Sequence, residues 1–357
     1  MTEINLTMKL RVIILFFLFV FISLLLLDAC KKSDVDNTPY NPTYLKLNIP
    51  AGWQQPLADI FATNPLTEEG FQLGRKLFYD GRLSKDGNFP CASCHQQYAA
   101  FATYDHDLSH GYNNSFTKRN TPVTVNLAWM PLFDCDGRTN DIVSEPLLHL
   151  TALNEMAENI DNVINKLKND TSYPALFKAA FGNYDITSQL MLKALAQFTG
   201  SIISSESKFD RYKRGESTLT PNELNGYNLF KSKCESCHKE PLFTDNSFRN
   251  NGMSNNPLSI DNGRMQITNN LNDSLKFKVP TLRNIVASFP YMHDGRFYTL
   301  GQVIDHYRTG IITSQPTLDP LLASRLPMTN SEKQDLIYFL YTLSDTAFTN
   351  NPRFKQY

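Results

Sequence analysis

A chain of 357 residues, 41% hydrophobic and 12% aromatic, holds material for about two globular domains. A formal net charge of −1 excludes a nucleic-acid partner held by electrostatics. Only six cysteines and seven histidines are present, so where they fall carries information.

Lys9 and Arg11 form a short basic start, and Val12 to Leu27 is a continuous apolar run. Leu27-Asp28-Ala29-Cys30 then resembles a bacterial lipobox, in which the Cys is lipidated and becomes the mature N-terminus. Asp28 departs from that pattern. The alternative is a transmembrane anchor, but the run is short for a span and sits in signal-peptide position. The reading is a lipoprotein signal over residues 1–30 and a flexible tether over 31–48, polar and carrying Pro39 and Pro42. The rest then lies in the periplasm or cell envelope, held to a membrane by lipid on Cys30.

Pro65 to Phe78 reads as a helix with one apolar side, and it leads into Cys91-Ala92-Ser93-Cys94-His95. Thr220 to Phe230 has the same place before Cys234-Glu235-Ser236-Cys237-His238. Thr220 is its N-cap, Pro221 its first helical residue, and Glu223 completes a capping box. Cys-x-x-Cys-His is the attachment pattern of a c-type haem: two thiols bind the porphyrin edge and the adjacent His reaches the iron. A zinc site built from both pairs is the competing explanation. Such sites usually keep their pairs close in sequence, and these are far apart. A disulfide within each pair leaves the two histidines unexplained.

The repeat continues downstream. Arg119-Asn120-Thr121-Pro122 pairs with Pro280-Thr281-Leu282-Arg283-Asn284, and Asp136-Gly137-Arg138 with Asp294-Gly295-Arg296. Order and identity match, as in an internal duplication with one haem per copy. Between the copies, Glu158 to Lys168, Ser172 to Phe181 and Thr187 to Phe209 carry three-four apolar spacing. Lys208 to Ser217, charged and Gly-containing, reads as a domain boundary. Thr299 to Arg308 and Thr329 to Leu343 are further helices, the second capped by Thr329 with Glu332. Strand signals are weak. The expected class is mainly α: two tandem cytochrome c-like domains, each with one covalently bound c-type haem. The boundaries are 49–207 and 208–345, followed by a tail over 346–357.

Two tandem copies with this wording resemble the bacterial dihaem cytochrome c peroxidase family, which includes the MauG-type enzymes. The resemblance covers about residues 50–345. It rests on both haem motifs, Leu83-Ser84-Lys85-Asp86-Gly87, Arg119-Asn120-Thr121-Pro122, Asp136-Gly137-Arg138, Asn154-Glu155-Met156, Phe277 to Asn284, and Pro290 to Gly295. It implies that Cys91, Cys94 and His95 hold a peroxidatic haem and that Cys234, Cys237 and His238 hold an electron-transfer haem. The acid-base carboxylate falls at Glu155, which on the residues alone reads as an ordinary charged residue at a helix start.

Some members plug the peroxidatic iron with a resting His. His110 holds that position here, and His106 competes with it; both also suit a solvated loop. The sixth ligand of the second haem falls at Tyr307, as in MauG-type enzymes, whereas most of the peroxidases use Met. His306, Met292 and Met328 are the competitors, and a Tyr packed on the haem edge is the plainer explanation. A calcium ion between the domains is implied at Asn120, Ser288 and Pro290. Two departures stand out. Cys135 occupies the position of the usual inter-haem Trp, with Trp129 six residues earlier, and Glu145 occupies that of a usual Gln.

The implied function is reduction of hydrogen peroxide to water with electrons from a small redox protein such as a c-type cytochrome. The second haem relays electrons to the first. A MauG-like oxidase that stores two oxidising equivalents and attacks an organic or protein side chain is the alternative. Tyr307 favours it and Cys135 weakens it. A non-catalytic dihaem electron carrier is the third reading, which an acid at Glu155 opposes. The relatives tend to form homodimers.

Overall fold

This computed structural model describes residues 13, 14, 16, 39–56, 59–256 and 260–356. Cys30 and most of the signal and tether lie outside the described residues. The chain parts into two units, Met1–Tyr40 and Asn41–Tyr357. In the first, residues 13, 14 and 16 are helical and exposed. Everything below concerns the second. Among the described residues, no helix is long and apolar enough to cross a membrane.

The second unit is mainly helical. Among the described residues its α-helices of six residues or more are α1 (Glu68–Phe78), α2 (Glu145–Thr151), α3 (Ile160–Lys168), α4 (Tyr173–Phe181), α5 (Ser188–Gly200), α6 (Lys208–Lys213), α7 (Pro221–Lys233), α8 (Leu300–Asp305) and α9 (Asn330–Tyr341). Among the described residues the only sheet is the antiparallel pair β1 (Phe248–Arg249) and β2 (Phe277–Lys278). Local chemistry sets most helix ends. Thr67 caps α1 by accepting from the Gly70 N–H, with Glu68 and Glu69 in the first turn and Arg75 and Lys76 in the last. Capping boxes Thr220/Glu223 and Thr329/Glu332 start α7 and α9, where the sequence places them.

Two apolar cores form. Phe71, Phe78, Phe101, Phe177 and Phe198 lie in the first, and Phe348 and Phe354 return to it from the C-terminal segment. Phe209, Tyr227, Phe230, Phe243 and Phe339 lie in the second. The two repeat one packing plan. α1 crosses α5 at Gly74, where a Cβ would sit 2.0 Å from the Ala194 carbonyl oxygen. α7 crosses α9 at Gly226, where a Cβ would sit 2.0 Å from the Asp335 carbonyl oxygen. Only glycine permits either approach. Phe78 then meets Phe101 and Phe198, as Phe230 meets Phe243 and Phe339.

The structure corrects the register of the downstream repeat. Asn126, not Asn120, is the equivalent of Asn284. Both take a left-handed φ, of 56° and 59°. The Asn126 side chain accepts from the Ser204 N–H, and that of Asn284 from the Asp345 N–H. Pro122 therefore pairs with Pro280.

The helix expected over Thr187 to Phe209 is two helices. Residues 201–207 break it, because Asp345 collects the Ser204 hydroxyl and the Ser205 and Glu206 N–H groups. Ser207 then starts α6 in a capping box with Asp210.

Asp210 also anchors Arg283, which is 1% exposed, through two bonds of 2.7 and 2.9 Å. Burial raises the Asp210 pKa, and the guanidinium outweighs it and holds the carboxyl below its ordinary value. The pair therefore stabilises the fold above the ordinary Asp range, and that contribution is lost as pH falls through the lowered pKa. Asp210→Asn strands a buried cation and is expected to cost about 3–5 kcal/mol, read as a fall in the denaturant midpoint.

Candidate active site

The first motif is itself one helical turn, Cys91–Cys94, so its two sulfurs lie on one side with His95 closing the turn through its N–H to Cys91. The second motif closes in the same way, with the His238 N–H on the Cys234 carbonyl. All four thiols are unpaired. A single cavity of about 920 Å³ is lined by both motifs. Phe78, Val123, Leu127 and Leu195 give its first end apolar walls, and Leu282, Ile304, Met328 and Leu340 its second.

The two histidines are held alike. His95 Nδ1 donates to the Phe101 carbonyl at 2.7 Å, and His238 Nδ1 to the Phe243 carbonyl at 3.1 Å. Phe101 and Phe243 both take a left-handed φ, of 60° and 55°, which turns each carbonyl onto its imidazole. That bond fixes the tautomer and leaves Nε2 as the ligand atom. Burial lowers the pKa of both histidines, so both are neutral and ready for a metal. Burial also pushes the Cys91 and Cys234 thiols up to about 12. Neutral thiols at an apolar ring edge, with an oriented imidazole beside them, are the donor set of a covalent haem. The residues fit the group at both ends.

Glu155 lines the first end of the cavity. It sits in the loop after α2, and that loop is laced to the loop carrying His110. The Tyr112 N–H donates to the Glu155 carbonyl at 2.7 Å, and Ser115 Oγ to the Asn154 carbonyl. A Cβ on Gly111 would lie 2.2 Å from that same Asn154 oxygen. His110 lines the cavity beside Glu155, packed on Phe116 at 4.8 Å. His106 is 5.2 Å from the His110 ring and is not among the lining residues.

At the second end, α8 runs into a π-helical turn over His306–Gly310. The turn carries Tyr307 into the cavity wall, while His306 Nε2 is occupied by the Asn251 carbonyl at 3.0 Å. Met292 and Met328 also line the cavity. Burial pushes the Tyr307 phenol up to about 12, so a phenolate forms there only beside a cation.

Asn120, Ser288 and Pro290 all line this same cavity. The Asn120 amide nitrogen donates to the His106 and Asp107 carbonyls at 3.2 and 3.0 Å, which leaves Oδ1 as its ligand atom. An all-oxygen set of this kind suits calcium. Cys135 also lines the cavity and accepts from Arg119 Nη1 at 3.1 Å. Burial pushes its thiol up to about 11, which makes it a poor nucleophile. Trp129 is not among the lining residues; its indole N–H donates to the Gln54 carbonyl and its ring meets Trp53.

One residue escaped the sequence reading. His149 of α2 also lines the cavity, and its Nδ1 is 2.6 Å from Glu155 Oε2. Its Nε2 faces Glu145 at 3.1 Å and Asp134 at 3.3 Å. The only signal in the sequence was Glu145 four residues before it on a helix.

Two oriented imidazoles with paired thiols on one cavity, on a repeated helical frame, define a dihaem protein of the cytochrome c type. The comparisons agree. Residues 68–218 match the family model for di-haem cytochrome c peroxidase. The chain is 35% identical over 296 residues to the methylamine utilization protein MauG of Methylorubrum extorquens, covering 78% of this chain and 79% of that one. It is 34% identical over 258 residues to the cytochrome c551 peroxidase of Nitrosomonas europaea, covering 70% and 76%. Among solved structures, a MauG-like protein associated with microbial copper homeostasis superposes with a TM-score of 0.79 at 31% identity, covering 87% of this chain and 99% of that one. The chain belongs to the di-haem cytochrome c peroxidase family.

Proposed function

We propose that this chain is a cytochrome c peroxidase: hydrogen peroxide, two electrons and two protons give two waters. Cys91, Cys94 and His95 hold the peroxidatic haem within residues 49–207. Cys234, Cys237 and His238 hold the electron-transfer haem within residues 208–345. The haems supply the redox centres; the protein supplies position and protons. Glu155 takes the proton from the near oxygen of peroxide and returns it to the far oxygen, so that the O–O bond breaks with water as the leaving group. The observation that carries this reading is the placing of Glu155 on the cavity wall, with Oε2 fixed by His149.

His110 shields the first end in the resting protein and Tyr307 closes the second. The lacing of the His110 loop to the Glu155 loop ties any movement of His110 to Glu155. Asn120, Ser288 and Pro290 hold calcium at the seam. Electrons come from a small donor such as a c-type cytochrome. Lipid on Cys30 keeps the enzyme at the membrane in the periplasm or envelope.

The similarity to a MauG protein and the Tyr at position 307 favour a second reading, oxidation of an organic or protein side chain. Cys135 at the usual Trp position weighs against it. Steady-state peroxide turnover with a reduced c-type cytochrome decides between them, together with a pyridine haemochrome count. Two haems per chain and peroxide-dependent donor oxidation are expected. Two haems without donor turnover would favour the oxidase, and fewer than two would remove both readings.

A further inference from the structure

His149 is caught among three carboxylates. Glu145 reaches it from the same helix, Asp134 from the loop before Asp136-Gly137-Arg138, and Glu155 from the loop after α2. The other charged and titratable groups acting on this cluster are Arg138 beside Asp134, Lys278 on β2, and Cys91, Cys94 and His95 of the first motif. Resting on the peroxidase reading above, we propose that His149 is a positioning residue that, while charged, fixes Glu155 through Oε2 and is itself held in place by Glu145 and Asp134.

The geometry is that of a two-ended clamp. Nδ1–H donates to Glu155 Oε2, and Nε2–H donates to Glu145 and Asp134. Burial pushes the imidazole pKa down, and hydrogen bonds with the three carboxylates outweigh it, so His149 is held well above its ordinary value. The clamp is therefore charged through the neutral range and fails only in alkali.

The test uses the haem-loaded protein. His149→Gln keeps the contact with Glu155 but cannot titrate. It is expected to lower kcat about 10–100-fold, as loss of an orienting partner does, leave KM for the reduced cytochrome unchanged, and abolish the alkaline limb of the pH profile. Glu145→Gln removes one of the three charges and is expected to move that limb to lower pH. A second readout needs no turnover. Hydrogen cyanide must shed a proton to the distal groups as it binds the half-reduced protein. Its association rate should carry the same limb in the wild type and lose it in His149→Gln. Retention of both limbs at unchanged pH would overturn the positioning role of His149. A cyanide limb that responds to His149→Gln in a protein with no donor turnover would instead overturn the peroxidase reading and leave the positioning role standing.

Discussion

Glu155→Gln is expected to lower peroxide turnover by about 10²–10⁴-fold while both haems stay attached, the range for loss of a general acid-base group. The amide preserves size and still meets His149 at 2.6 Å, so the loop laced to residues 111–115 keeps its place. What is lost is the ability to take a proton from one oxygen of peroxide and return it to the other. Parallel measurements of haem content and resting spectrum separate this effect from damage to the fold. The expected loss exceeds that for His149→Gln, because the proposed function puts Glu155 against the reacting atoms and has His149 act through it. Turnover within a few-fold of wild type would remove Glu155 from that role. Glu145, on the far side of His149, would then be the next acid to examine.

The contrast between Glu155 and His149 shows where sequence reading stops. Cys-x-x-Cys-His is legible because covalent chemistry fixes the spacing of thiols and ligand within five residues. The capping boxes of α7 and α9 are legible for the same reason: donor and acceptor lie three residues apart. His149 has partners at 134, 145 and 155, and only the folded loops bring the first and last together. The break after α5 is invisible locally because its acceptor, Asp345, lies about 140 residues away. α2 was missed because seven residues are too few to establish a helical period. The repeat was seen but set in the wrong register. Asn120 and Asn126 are equally good matches as letters, and only Asn126 shares the backbone turn and the buried amide bonds of Asn284.

Tyr307→Met is expected to raise the potential of the haem on His238 by on the order of a few tenths of a volt, within the roughly 0.8 V that axial ligands span. A phenolate donates charge to ferric iron and lowers the potential, whereas a thioether favours the ferrous state. Position supports Tyr307 over its neighbours. The π turn delivers it to the cavity wall, while His306 is spent on the Asn251 carbonyl. The Asn251 amide also donates to Met292 Sδ at 3.5 Å, so that sulfur already has a partner. Met292→Ala is therefore expected to leave the potential unchanged, and a spectroelectrochemical titration of the three proteins checks both claims. If Tyr307→Met leaves the potential where it was, Tyr307 is a packing residue on the ring edge. If Met292→Ala moves it instead, the thioether is the ligand. The second haem would then lie at the high potential of an electron-entry site, and the main support for side-chain oxidation over peroxide reduction would be gone.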